Sequence, residues 1–302
     1  MANKIKVMCT STGCIEYGPE RYKKHDIDII RIHVNFKGKE YLEGPELDPV
    51  AFYEELETLE DPKNNLPTTA MPTREEIAAH YEKACAEGYD QVLVIALSAY
   101  LGGTCNLIRL VGEDYADRLQ VTVIDSKIAC FGEGLLAIRA AEMVEKGMSV
   151  PEIVKELNWM MARQEFIGVD GKLDYLIYNG RLKGGKAFMG KMLSICPVVH
   201  FAKDGELCAL QSVRTAKKAL ARTCEILKEI IGDRSPEDYI LWHMYTGPSL
   251  LEDLVEIEKK YGIETNHEDV IVSPVSGCHN GPWLAGYGLS LIRRADEPLE
   301  EA

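Results

Sequence analysis

The sequence predicts an α/β fold of two domains: an N-terminal, mostly parallel sheet with flanking helices and a C-terminal α+β domain. Before about residue 160, short apolar runs alternate with amphipathic helical stretches, which is typical of a parallel sheet covered on both faces. After residue 163, short strand-like runs are joined by turn residues and the alternation becomes less regular. We therefore expect an N-terminal domain over residues 1–160 and a C-terminal domain over residues 161–302.

Capping residues and periodicity place the elements of the N-terminal half. Thr73 and Ser149 each precede a glutamate by three residues, which is the spacing of a capping box at the start of a helix. Lys37-Gly38-Lys39 follows an alternating apolar run and predicts a hairpin turn. On this basis, strands are expected over residues 5–8, 27–36, 91–97 and 121–124, and helices over residues 49–59, 73–87, 104–115 and 132–146 and onward from 149.

The C-terminal half has turn and helix signals of its own. Asp204-Gly205 separates two short apolar runs and predicts a hairpin. Residues 277–282 form a glycine-rich segment after a predicted strand and are expected to be a loop. Strands are expected over residues 166–169, 197–202, 207–212, 239–244 and 269–275, and helices over residues 216–230 and 248–261.

The composition excludes several classes of function. The 302 residues carry a net charge of −14, which argues against a nucleic-acid interface and against attraction to an anionic membrane. No run of eighteen apolar residues is present, and the N-terminus lacks the apolar core of a signal peptide, so a cytoplasmic protein is expected. The nine cysteines form no C-x-x-C pair and no zinc-like spacing, which favours buried free thiols over a metal site.

Three predicted strands end in turns that carry hydroxyl groups: Thr10-Ser11-Thr12, residues 98–104 and Ser126. Ligands of open α/β sheets bind at the carboxyl ends of the strands, so we expect these hydroxyls to meet at one edge. The Gly102-Gly103-Thr104 turn also opens a predicted helix, whose first N–H groups are unpaired and attract anions. The sequence therefore predicts an anion-binding site.

Three further segments offer polar groups to such a site. In residues 67–73, prolines stiffen a segment in which Thr68 and Thr69 are suited either to a helix-capping loop or to fixed hydroxyl donation. His279 is either a polar turn residue or a donor to a carboxylate or phosphate oxygen. Arg181 belongs to a basic stretch that is either a solvated surface or a receptor for an acidic partner or a phosphate.

The motifs of several common enzyme classes are missing. The chain contains no G-x-x-x-x-G-K-[ST] phosphate loop, and no G-x-G-x-x-G follows its first strand. Ser98 is not part of a G-x-S-x-G motif, and no nucleophile–base pair or metal-binding cluster stands out. Hydroxyls, backbone amides and one histidine favour the binding of an anion over catalysis.

A series of short motifs runs along nearly the whole chain: residues 10–12, 43–44, 52–53, 67–72, 97–98, 101–104, 124–126, 173–181, 197, 204–205, 214–215, 274, 279 and 281–282. In this order they resemble the motifs of the DegV family, the fatty-acid-binding proteins that serve fatty acid kinase. The chain departs from the family pattern at three places. Thr10 stands where the family has aspartate, Gly102 where it has serine, and Ala70-Met71 where it has Ser-Gln.

The resemblance implies a DegV-like fold that buries a long-chain fatty acid and presents its carboxylate to a partner fatty acid kinase, which phosphorylates it to an acyl-phosphate. It implies a carrier that is not itself an enzyme, with no metal and no cofactor besides the bound lipid, and it places Arg181 near the kinase. The residues that would hold the carboxylate are Thr68, Thr69, Ser98, Gly102, Gly103, Thr104 and His279. From their apolar density, the residues expected to line the acyl tunnel are Phe166, Ile167, Phe188, Met189, Met192 and Leu193.

Two other interpretations of the same anion site stay open. One is a phosphotransferase or hydrolase that acts on a small phosphorylated ligand, which turnover of ATP or an acyl-phosphate by the protein alone would reveal. The other is a sensor whose lipid-filled state is read by a partner through the Arg181 loop. Transient contact with a membrane is compatible with lipid binding. Chain length, unsaturation, kinase identity and oligomeric state are left open by the sequence.

Overall fold

The computed structural model describes residues 4–171, 173–182, 195–294 and 297–299. Within these ranges the chain forms three β-sheets and ten α-helices. The strands are β1 Ile5–Thr10, β2 Ile27–Ile30, β3 His33–Phe36, β4 Lys39–Leu42, β5 Thr68–Ala70, β6 Gln91–Ala96, β7 Gln120–Asp125, β8 Gln164–Asp170, β9 Cys196–Phe201, β10 Leu207–Val213, β11 Tyr239–Tyr245, β12 Val270–Ile271 and β13 Leu284–Leu291. The helices are α1 Pro49–Glu57, α2 Pro62–Asn65, α3 Arg74–Ala86, α4 Thr104–Glu113, α5 Phe131–Glu145, α6 Val150–Met161, α7 Asp174–Tyr178, α8 Ala216–Ile231, α9 Pro248–Tyr261 and α10 Pro274–Asn280.

The N-terminal sheet is parallel, with the strand order β2-β1-β6-β7. All six residues of β1 are buried, because helices cover both faces of the sheet. Helices α3 and α4 pack on one face, and α5 packs on the other. The predicted parallel sheet with flanking helices is confirmed.

The single strand that was expected over residues 27–36 is two strands that belong to different sheets. The first, β2, joins the parallel sheet. The second, β3, belongs to a small antiparallel sheet of order β4-β3-β5 and pairs with β4 through the predicted hairpin. Lys37 and Gly38 have φ values of 50° and 75°, and positive φ at both central residues is what a type I′ hairpin turn requires. The segment around Thr69, expected to be a loop, contains β5, in which Thr69 pairs with Val34 of β3.

The C-terminal sheet has the order β10-β9-β8-β13-β11-β12 and is antiparallel except for the β11–β12 pair. Helices α8 and α9 pack on one face. The other face meets α5, where the rings of Phe131 and Trp242 lie 5.3 Å apart. The expected α+β arrangement is confirmed. Helix α5 lies between the two large sheets and packs in one core with residues of both. This core does not separate at residue 160, so the domain boundary there stays a prediction.

Two segments near the C-terminus differ from the expected structure. The predicted strand over residues 269–275 shortens to β12, and the residues expected to form a glycine-rich loop lie largely in α10. This helix begins with Pro274 at its first position, and the Ser273 hydroxyl accepts the Ser276 N–H. Strand β13 is absent from the predicted strands because glycines interrupt its apolar pattern. A Cβ at Gly286 would lie 2.4 Å from the Gly168 Cα, so strand pairing requires glycine there.

Candidate functional site

A cavity of about 300 Å³ lies between the carboxyl edge of the parallel sheet and the C-terminal sheet. Apolar side chains and one thiol form most of its wall: Ile32, Ala70, Met71, Leu97, Leu101, Ala129, Cys130, Phe166, Leu176, Phe201, Leu207, Met244, Val275 and Leu284. The polar and charged side chains of the wall are Thr12, Thr69, Thr104, Arg181, Ser276, His279 and Asn280. Among the described lining residues there is no aspartate or glutamate. The cavity therefore suits a ligand with a long apolar part and an anionic end.

The hydroxyl-bearing turns that follow β1, β6 and β7 meet at the carboxyl edge of the parallel sheet. The Leu97 N–H donates to Thr10 Oγ1 at 3.2 Å, and the Ser126 N–H donates to the Ala96 carbonyl at 3.0 Å. Of these turns, the first contributes Thr12 to the cavity wall and the second contributes Thr104. The structure thus brings the turns together, although only some of their hydroxyls line the cavity.

The residues expected to bind a carboxylate divide into two groups. Five of them line the cavity, namely Thr69, Gly102, Gly103, Thr104 and His279. Ser98 does not, because its Oγ donates to the Gly205 carbonyl at 2.7 Å and accepts the Tyr100 N–H at 3.3 Å. Thr68 is exposed and lies outside the cavity, since neighbouring residues of a strand face opposite sides.

Thr69 and His279 form the polar pair of the cavity. Thr69 Oγ1 on β5 and His279 Nε2 on α10 are 3.1 Å apart. Burial, with a smaller contribution from the charge of Arg181, lowers the pKa of His279 to about 3, so its imidazole is neutral at physiological pH. Its Nδ1 is buried, and no described group forms a hydrogen bond with it. The pair carries one N–H and one O–H hydrogen, and its own hydrogen bond uses one of them. One hydrogen is left for a ligand.

Arg181 supplies a positive charge beside this pair. Its Nε donates to the Leu101 carbonyl at 3.2 Å and its Nη1 to the Asn179 carbonyl at 2.6 Å. The Asn179 side chain donates in turn to the Cys278 carbonyl at 2.7 Å, which ties the Arg181 loop to α10. Desolvation lowers the pKa of Arg181, but a guanidinium stays charged. Because no carboxylate lines the described cavity wall, this charge favours an anionic ligand.

The Gly102-Gly103-Thr104 turn leads into α4 at the same end of the cavity. A Cβ at Gly103 would lie 2.8 Å from Met71 Sδ, whereas a Cβ at Gly102 would meet nothing within 4 Å. A larger residue at position 103 would displace the end of the flexible Met71 side chain, whereas position 102 has room for one. The side chain missing at Gly102 leaves room beside the polar end of the cavity.

The apolar wall agrees only in part with the residues expected to line a tunnel. Phe166 lines the cavity, whereas Ile167 packs under α8 on the opposite face of β8, as strand alternation requires. The other four residues, Phe188, Met189, Met192 and Leu193, lie outside the described residues. Sequence reasoning missed Ser276 and Asn280, because the helical character of α10 was not recognised. It identified the turn that contains Thr12, but not Thr12 as a lining residue.

All nine cysteines are free thiols. No group of three histidine, cysteine, aspartate or glutamate side chains in residues 4–171, 173–182, 195–294 and 297–299 is placed to hold a metal ion. Over the same ranges, no helix combines the length and the apolar character needed to cross a membrane.

Relatives of this chain match it along almost its entire length. The DegV family model, described as "Uncharacterised protein, DegV family", matches residues 4–291. A DegV domain-containing protein of Listeria innocua is 32% identical over 292 residues, which cover 96% of this chain and 100% of the relative. A protein of Thermotoga maritima named fatty acid-binding protein is 30% identical over 298 residues, covering 96% and 99%. The crystal structure of a fatty acid binding DegV family protein from Streptococcus agalactiae has a TM-score of 0.85 at 28% identity, covering 97% of this chain and 100% of that one.

Proposed function

The chain belongs to the DegV family, and we propose that it binds a long-chain fatty acid in the cavity between its two large sheets. The carboxylate lies at Thr69, His279 and Arg181, and the acyl chain extends along the apolar wall toward Phe166 and Phe201. One observation carries this proposal. The apolar cavity ends at the Thr69–His279 pair and at Arg181, and no carboxylate lines the part of the wall that the structure describes. The Thermotoga relative is named a fatty acid-binding protein and the Streptococcus relative is described as fatty acid binding, which supports the proposal.

The energetics suit such a ligand. Burying a sixteen-carbon chain contributes on the order of 10 kcal/mol before the costs of association, at about 0.8 kcal/mol per methylene. The polar end then mainly determines which way the lipid enters. A hydroxyl, a neutral imidazole and a guanidinium hold a carboxylate by hydrogen bonds without a covalent bond, so the carboxylate stays available to a second protein.

We also propose that this second protein is a kinase that phosphorylates the bound carboxylate to an acyl-phosphate. Exposed side chains flank the polar end of the cavity: Tyr100 is 59% exposed beside Leu101, and Met71 is 49% exposed beside Ala70. A partner that covers these residues would reach the head-group.

With ATP and a partner fatty acid kinase, acyl-phosphate is expected to form, and hydroxylamine would trap it as the hydroxamate. Turnover of ATP by the protein alone would favour a phosphotransferase instead.

Substituting Thr69 by valine is expected to weaken palmitate binding by about tenfold or more, because a hydrogen bond to a charged group is worth about 1.5–3 kcal/mol. Thr68→Val is the matched control, since the neighbouring Thr68 is exposed outside the cavity, and its dissociation constant should stay within about twofold of the wild type. Binding is measured by displacement of a fluorescent fatty acid.

The lipid itself is sought first by native mass spectrometry of the purified protein. A long-chain fatty acid is expected to co-purify. If no lipid co-purifies and neither palmitate nor oleate raises the melting temperature, the cavity does not serve fatty acids. Equal affinities of the Thr69→Val and Thr68→Val variants would instead place the head-group elsewhere.

Gly102→Ser is expected to tighten palmitate binding by about fivefold. The added side chain meets nothing within 4 Å, and its hydroxyl would add about one hydrogen bond at the polar end of the cavity. The same displacement assay measures the gain, and thermal unfolding should show a stability close to that of the wild type. Weaker binding by a variant that is as stable as the wild type would contradict the placement of the carboxylate beside this turn.

A further inference from the structure

A buried carboxyl group lies behind the cavity wall. Glu133, on α5, is fully buried, and its Oε2 lies 2.7 Å from Thr12 Oγ1. Its Oε1 contacts Thr10 Oγ1 and lies 3.5 Å from Cys9 Sγ. The hydroxyl oxygens of Thr10 and Thr12 are themselves 2.8 Å apart. The carboxyl group and the two hydroxyls therefore form a closed triangle of hydrogen-bonding contacts, of which Thr12 also lines the cavity.

The number of hydrogens in this triangle indicates the protonation state of Glu133. Three contacts between oxygen atoms need three hydrogens, and the two threonine hydroxyls supply only two. If Glu133 were ionised, one contact would bring lone pairs against lone pairs. The Leu97 N–H already donates to Thr10 Oγ1 at 3.2 Å, so it does not supply the third hydrogen. The carboxyl hydrogen of a protonated Glu133 supplies it.

The surroundings of Glu133 agree with this count. Burial raises the pKa of the Glu133 carboxyl to about 8, against the lowering effect of the hydrogen bonds from Thr10, Thr12 and Cys9. The other titratable groups that face it are thiols, which are Cys9 on β1, Cys105 on α4 and Cys130 at the start of α5. Its place in the first turn of α5 favours the ionised form, but a buried carboxylate without a cation costs more.

We propose that Glu133 is protonated in the folded protein and positions Thr12 as a hydrogen-bond donor to the anionic head-group of the ligand. The proposal rests on the proposed fatty acid binding. With the Glu133 O–H donating to Thr12 Oγ1, the Thr12 hydrogen lies in the contact with Thr10 Oγ1, and it can turn to a ligand carboxylate at the cost of that one contact. When Glu133 ionises, both hydroxyl hydrogens turn toward it, and a negative charge lies behind the head-group. Glu133 is thus a positioning residue that does not touch the ligand.

The test is the pH profile of palmitate affinity in the wild type and in Glu133→Gln. Glutamine keeps a donor toward Thr12 and an acceptor toward Thr10 but does not ionise. Wild-type affinity is expected to fall by about tenfold between pH 7 and pH 9 relative to Glu133→Gln, whose affinity follows only the titration of the remaining groups. The ratio of the two affinities cancels the titration of the ligand and of Cys130, a lining thiol whose pKa is lowered chiefly by its hydrogen bond with Cys14.

A second pair of variants keeps the test independent of how well Glu133→Gln folds. Thr12→Val should bind palmitate several-fold more weakly at pH 7 and lose the wild-type pH profile, whereas Thr12→Ser should restore both. Wild-type binding with the same pH dependence in Glu133→Gln or in Thr12→Val would overturn this inference alone. Absence of palmitate binding by the wild type at pH 7 would overturn the proposed function, and this inference with it.

Discussion

Replacing Gly134 by alanine is expected to lower the free energy of unfolding by about 3 kcal/mol, at the upper end of typical overpacking costs. An alanine Cβ at this position of α5 would lie 2.0 Å from the carbonyl oxygen of Gly13. The clash is with the backbone of the first turn, so helix and turn have to separate. The higher helix propensity of alanine, about 1 kcal/mol, offsets only part of this cost.

Gly132→Ala is the matched control, because it lies two residues earlier in the same helix. Its added methyl group would meet Gln164 Nε2 at 2.7 Å and Ile128 Cδ1 at 2.9 Å, which are the ends of side chains and can move. We expect this variant to lose no more than about 1 kcal/mol. Urea unfolding of both variants measures the difference. Equal stabilities would mean that α5 and the first turn do not approach each other as closely as the structure has them.

The free energy of unfolding is expected to fall by about 3 kcal/mol between pH 6.5 and pH 9 through one buried histidine. His243 on β11 lies between two carboxylates, with its Nδ1 2.8 Å from Asp269 and its Nε2 2.8 Å from Glu258. The Tyr287 hydroxyl donates to the same Glu258 oxygen at 2.9 Å. Burial by itself lowers the pKa of His243, but the hydrogen bonds to Asp269 and Glu258 outweigh it and raise the pKa to about 9.

The sign follows from the direction of this shift. The folded state binds the proton of His243 more tightly than the unfolded chain, whose histidine titrates near 6.5. The stabilisation is therefore complete below pH 6.5 and is lost as the pH rises through about 9. A His243→Gln variant should be less stable by about 3 kcal/mol at pH 6.5 and should approach the wild type at pH 9, because its glutamine does not ionise.

The measured quantity is the difference in unfolding free energy between the wild type and His243→Gln at each pH. Glu133, whose pKa is also raised, makes both proteins less stable as the pH rises toward 8, and the difference cancels its contribution. A constant difference between pH 6.5 and pH 9 would mean that His243 is neutral in the folded protein.

Much of the fold could be predicted because its signals are local. Both expected capping boxes are present: the Glu76 N–H donates to Thr73 Oγ1 at 3.1 Å, and the Ser149 N–H donates to Glu152 at 2.8 Å. Strands β1 and β6 were recognisable because burial on both faces makes them mostly apolar. Errors arose where an element depends on distant partners. Strand β5 exists because it pairs with β3, and β13 needs glycine where β8 passes close to it.

The candidate site was only partly predictable for the same reason. Ser98, in a turn after a predicted strand, and Thr69, in the proline-stiffened segment, were both expected to hold the carboxylate. In the structure, Ser98 donates its hydrogen to Gly205, 107 residues away, whereas Thr69 meets His279, 210 residues away, on the cavity wall. A hydroxyl has one hydrogen, and the group that receives it depends on which distant segment folds against it.

By itself, the sequence determined the parallel sheet, its helices, their caps and the edge at which the hydroxyl-bearing turns meet, because these depend on residue periodicity and on neighbours a few positions apart. Only the tertiary structure decided which hydroxyls line the cavity, that Arg181 lies beside a neutral His279, and that Glu133 is buried behind Thr12. Charge state and hydrogen-bond direction depend on burial and on partners that chain folding brings together. The positions of residues along the chain therefore do not reveal the charge state of a group or the direction of its hydrogen bond.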